Sequence, residues 1–260
     1  MVQSLSVGRE TGVQDVAGFV CRCFALAAVL AASLSPVALV LSCMDSLSTF
    51  MQLALPVLML LLTAIGGVAS AGVFQPAMTA LCGTVVGVMR AGVVPLAVRM
   101  GETAGLLKRL AKWIIGAVSV LYVGTTAVRG MTAAAYDGVA IRTAKYAASS
   151  LVPMVGGMVS GTMDTMLGCA LLVKNAAGLA AILLTVSVAL LPLLRLAVQM
   201  LLLRLAGALS EPIAGAQLPA MYAAAADMFS FLFAATLSVA LMFLITVALL
   251  TGLTGISMVV

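Results

Sequence analysis

The sequence predicts an all-α, polytopic integral membrane protein, and three observations predict it. Hydrophobic residues make up 64% of the 260 and charged residues 8%. A soluble domain carries about a quarter charged residues, so these charges cannot furnish a water-facing surface. Long stretches carry no charge at all, among them 23–44, 46–89, 113–128, 175–194 and 228–260. About 20 apolar residues cross the ~30 Å hydrocarbon layer, so 46–89 has the length for two crossings. The remaining charges are grouped, which is how a membrane chain marks its loops.

Taken in order, residues 1–22 form an N-terminal segment. "MVQSLSVGRETGVQDVAGFVCR" carries two acids and two arginines and no basic lead into an apolar core, so it is a poor signal peptide. Residues 23–260 form a single transmembrane domain. Asp45 separates the first apolar run from the second. "IGGVASAGVFQP" (65–76) loosens the helix through its glycines and Pro76, which predicts a hairpin with its tip near Ala71–Pro76.

Residues 90–112 hold Arg90, Arg99, Glu102, Lys108, Arg109 and Lys112, a net of +4. That excess places the segment in the cytoplasm. "AGLLKRLAKWII" within it reads as an interfacial helix, with basic side chains snorkelling and Trp113 at headgroup level. Counting from this anchor, 113–128 runs outward and 175–194 returns. Residues 195–217 are cytoplasmic again, and 228–250 leaves. Backwards, 71–89 runs inward, 48–69 outward and 23–43 inward, giving about six transmembrane helices with the N-terminus outside. Either residues 23–43 do not span, or the sequence is part of a longer chain.

Residues 129–145 ("RGMTAAAYDGVAIRTAK") are too polar to cross lipid. Residues 146–175 are apolar but interrupted by Pro153, Gly156, Gly157, Gly161 and Asp164. Such a stretch reads as re-entrant or as a broken helix pair, covered by protein or lining a cavity. "GGVAS" (66–70) and "GGMVS" (156–160) form a faint internal echo of the kind that inverted repeats leave.

Little catalytic chemistry is available. With no histidine, triads built on it and HExxH zinc sites are excluded, and no GxxxxGK[ST] loop occurs. Five cysteines, an odd number without CxxC, argue against a disulfide framework or metal site; they read as small apolar packers. Asp137 and Asp164 could share a proton as an aspartyl pair, but the GxGD companion of membrane aspartyl proteases is missing. The reading is therefore non-enzymatic, without cofactor or metal.

Ionisable residues at membrane depth are costly and point to function. Asp137, Arg142, Lys145, Asp164, Lys174 and Asn175 are the candidates for polar assembly contacts or pore lining. On a helix Ser160, Asp164 and Gly168 share one stripe, and Asn175 returns near it. Lys174 lies to one side and ~15 Å along the axis, so it does not pair with Asp164 within a straight helix. The competing structural reading has Lys174 snorkelling and Asp164 bonding a neighbouring helix. Gly66, Gly67, Gly157 and Gly161 are candidate helix-packing positions, where small residues permit close approach.

"DGVAIRTAKY" (137–146), "LVPMVGGMVSGTMDTMLGCALLVKNAAG" (151–178) and "FMQLALPVLMLLLTAIGGVASAGVFQP" (50–76) resemble the stage III sporulation protein AE family, over roughly residues 46–260. The resemblance implies a non-enzymatic, multi-pass membrane subunit of the secretion-like channel complex between mother cell and forespore. It implies a place in the mother-cell-derived membrane around the forespore. The implied partners are the other stage III A proteins and the stage II sporulation protein Q. A homo-oligomer is compatible, and the +5 charge, with no basic block interleaved with aromatics, does not point to nucleic acid. Members usually begin with a signal sequence and an extracytoplasmic helical region, so residues 1–22 read as a truncated remnant. The rival reading is a stand-alone secondary transporter with a midplane site around Asp164.

Overall fold

The computed structural model describes residues 3–64, 68–93, 95, 104–151, 156–214 and 217–252, and every described element is helical. Helix α1 spans Gln3–Ala64 and α2 Val68–Val88, continued by a π-helical turn, Met89–Val93. Helices α3 (Ala104–Leu151), α4 (Gly156–Ala214) and α5 (Gln217–Gly252) complete the described chain.

Four stretches among the described residues are long and apolar enough to cross a membrane: Pro36–Ala64, Arg109–Thr132, Thr165–Glu211 and Leu218–Gly252. Expectation and structure differ most at the joints between spans. Asp45 does not divide two helices, because α1 runs through it. Its carboxylate is half-exposed and pairs with Arg90 at 2.8 Å, so the charge needs no loop. Helix α1 ends at Ala64 and α2 begins at Val68, which puts Pro76 inside α2 rather than at a hairpin tip. "AGLLKRLAKWII" is the opening of α3, continuous with the apolar span after it, rather than a separate interfacial helix. Arg195 and Arg204 likewise lie within α4. Lysine, arginine, leucine and alanine are all good helix formers, so charge marks a change of solvent here without ending the helix.

The described helices supply four such stretches where the sequence predicts about six crossings. Residues 129–145 continue α3 rather than forming a loop, and Gly156, Gly157, Gly161 and Asp164 all lie within α4, so the described part of 146–175 is helix on both sides of residues 152–155. Helix α3 ends at Leu151 and α4 begins at Gly156, on either side of Pro153. Proline lacks an amide hydrogen and disfavours helix in the residue before it, which accounts for a boundary at this place.

Helix α5 is the centre of the bundle. Half of its apolar window is buried, against 22–33% for the other three candidate spans. It packs most extensively on α4 and also against α1 and α3. Ala226, Phe231, Leu232, Ala240, Met242 and Phe243 bury on its several faces. Helix α1 presents a single stripe, Val40, Met44, Leu47, Met51 and Leu55, at the three- and four-residue spacing of one helix face. Between helices in lipid there is no hydrophobic driving force, because acyl chains are as apolar as leucine. Close van der Waals packing and interhelical hydrogen bonds must hold the contacts.

Candidate functional site

Close packing is most visible where α4 meets α5. The buried stripe of α4 runs Lys174, Gly178, Ala181, Thr185, Ala189, Pro192 and Leu196, and most of these side chains are small. A Cβ at Gly178 would collide with Thr251 Cγ2 and stand 3.1 Å from Thr251 Cβ. A Cβ at Gly207 would stand 3.3 Å from Tyr222 Cβ. Together these contacts make α4 and α5 antiparallel neighbours, with glycine at both ends of the interface.

Lys174 heads this stripe and is fully buried. It lies one turn before Gly178, which faces Thr251, and so just past the last described residue of α5, Gly252. The final carbonyls of a helix lack intrahelical donors and carry partial negative charge, which favours a cation there.

A second polar feature joins three helices. Cys82 of α2 lies 3.3 Å from the hydroxyl of Tyr122 on α3, and that hydroxyl lies 2.6 Å from Thr246 Oγ1 on α5. Thr246 donates its proton to the Met242 carbonyl of its own helix at 2.9 Å. The directions follow: Tyr122 donates to Thr246, and the Cys82 thiol donates to Tyr122. Buried hydroxyls need partners, and the other buried threonines find theirs on their own helices. Thr126, Thr185 and Thr236 bond back to carbonyls four residues earlier. Cys43 makes a long contact, 3.9 Å, to the Val188 carbonyl and links α1 to α4.

At the end of the bundle where α5 begins, polar groups are less deeply enclosed. Lys112 Nζ sits 5.8 Å from the Phe231 ring centroid, a cation–π distance, with Asp227 one turn away on α5. A cleft of about 250 Å³ opens nearby, lined by Gln199, Leu202, Leu203, Ala206 and Phe229. Gln199 Oε1 is buried in it with no protein donor in reach.

The profile of the Stage III sporulation protein AE family matches residues 3–254, nearly the whole chain. The chain belongs to the Stage III sporulation protein AE family. It is also similar to "Stage III sporulation protein AE" of Bacillus subtilis (strain 168), at 25% identity over 221 residues, 79% of this chain and 55% of that protein. The chain thus spans about half the length of this curated relative. No solved structure matches it.

For this member of the Stage III sporulation protein AE family, the sequence-derived candidates fall in different settings. Arg142 and Asn175 are exposed and Lys174 is buried, so Lys174 and its neighbour Asn175 face opposite environments. The side chains of Asp137, Lys145 and Asp164 lie outside the described residues, as do Gly66 and Gly67 and the surroundings of Gly157. A Cβ at Gly161 would meet nothing within 4 Å. Sequence reasoning missed Gly178, Gly207 and Tyr122. A tyrosine hydroxyl in an uncharged span needs a partner, and that was the available signal. Cys82 is a hydrogen-bonding group here as well as a small packer.

Proposed function

We propose that this chain is a non-enzymatic integral membrane subunit of the channel complex between mother cell and forespore. It works there with the other stage III A proteins and, across the intermembrane space, with the stage II sporulation protein Q. The observation that carries the reading is the family match over residues 3–254, on a chain whose described residues include four helices apolar enough to span a bilayer. Sporulation is the family's process, and the apolar helices suggest a membrane protein. Channel membership, partners and the mother-cell-derived membrane are the finer steps of the proposal.

Two features support the orientation. Gly207 abuts Tyr222 and Lys112 lies on Phe231, so one described residue from each of the two basic segments packs against the first half of α5. That shared half fits one cytoplasmic face. Asp137, Arg142, Lys145, Asp164, Lys174 and Asn175 serve in this proposal as assembly or pore-lining groups.

The test is recovery of the affinity-tagged chain from sporulating cells. Co-purification with the other stage III A proteins, together with failed forespore development on its deletion, is expected. Recovery of the chain alone, with development unchanged on deletion, would overturn the proposal and favour a stand-alone transporter.

A further inference from the structure

We infer that the exposed leucine seam of α4 is a self-association surface, occupied by α4 of a second copy of this chain. Positions 184, 187, 191, 194, 198, 201, 205 and 208 alternate at spacings of three and four, and all are exposed. Among them Leu184, Leu191, Leu194, Val198, Leu201 and Leu205 are each more than half exposed. The opposite face of α4 is already filled by α5. A three–four repeat held over this length is the seam of a left-handed coiled coil.

Lipid does not account for the whole seam. The apolar stretch of α4 covers 47 residues, about 70 Å of helix, against ~30 Å of hydrocarbon. Its C-terminal half carries Arg195, Arg204 and Glu211, all exposed, and a charge at mid-bilayer is costly. That half therefore lies at or beyond the headgroups. Val198, Leu201, Leu202, Leu205 and Leu209 are nevertheless exposed there, leaving apolar surface that only protein can cover.

A second copy fits this surface for two reasons. Copies inserted by the same rules share one orientation in the bilayer, so their α4 helices meet in parallel and each seam faces its equal. The charges then fall clear of one another. With Leu201 at a d position, Arg195 occupies e and Arg204 occupies g. In a parallel pair each g residue approaches the e residue five positions on in its partner. Arg204 therefore meets Leu209, and Arg195 meets Leu190, so neither arginine faces its like. Their aliphatic stems lie over leucine and extend the covered area.

The experiment is disulfide cross-linking in native membranes, on the 260-residue chain with its own cysteines replaced. Leu201→Cys and Leu205→Cys stand on the seam. Ala224→Cys, exposed on α5 toward the same end, is the off-seam control. Mild oxidation should yield a covalent dimer from both seam variants and none from the control. Adding Val198→Arg to the Leu201→Cys chain should abolish the dimer, because two arginines would then meet across the seam. Three results would overturn the inference: no dimer from either seam variant, equal dimer from Ala224→Cys, or seam cysteines cross-linked to a different protein.

Discussion

A glycine matters where another group occupies the space its side chain would need. Gly178 meets that condition, since Thr251 stands where a Cβ would go. Gly161 does not, although its GxxxG spacing makes it the more obvious choice from sequence. Overpacking a close contact costs roughly 1–3 kcal/mol. Gly178→Leu should therefore lower the thermal midpoint of the detergent-solubilised protein, and Thr251→Ala in the same chain should recover part of the loss. Gly161→Leu should leave that midpoint unchanged, so any role of Gly161 would appear in assembly alone. Equal midpoints for Gly178→Leu and Gly161→Leu would contradict the packing described. Spacing tells which glycines share a helix face, but the partner comes from another helix, and Thr251 belongs to α5. Tyr122 was hidden for the same reason, because its partners come from two other helices. Asp45 and Arg90 were each visible as charges, but their pairing depends on the α1–α2 hairpin that brings them together.

At the scale of elements, apolar composition made the helical class legible, and uncharged runs located the apolar portions of α1 and α3 to α5. Boundaries were less legible, because a charged residue was read as the end of a helix. Helices here continue past Asp45, Arg129 and Arg195, since backbone hydrogen bonding is indifferent to whether a side chain meets lipid or water. The boundary between α3 and α4 was legible because Pro153 acts on the backbone itself. Placement of the basic end can be checked directly. Single cysteines introduced at residues 100–110, in a chain freed of its own, should react with impermeant thiol reagents only from the cytoplasmic side. Labelling from the outside would reverse the orientation of every helix. The ion pair of Asp45 with Arg90 is exposed on both sides, and such pairs contribute about 0–1 kcal/mol; it aligns α1 with the π-helical turn more than it stabilises the bundle.

Across the whole molecule, α5 is surrounded by α1, α3 and α4 and fills the space between them. It is also the last of the described helices to leave the ribosome. The middle of the bundle is thus synthesised after its walls. Until α5 arrives, acyl chains can line the faces it will cover, at little cost, because lipid is as apolar as the leucines it touches. The Tyr122 hydroxyl is less easily accommodated, because it has no Thr246 to donate to. Arrival of α5 is then the event that closes the structure. Residues 1–214 made alone should be cut readily by protease within α1–α4, and supplying 215–260 as a separate polypeptide should restore resistance. Full resistance of the shorter piece would mean that the walls stand without their centre. A quality-control protease that samples nascent membrane proteins would, on this account, find the chain vulnerable for as long as α5 takes to be made.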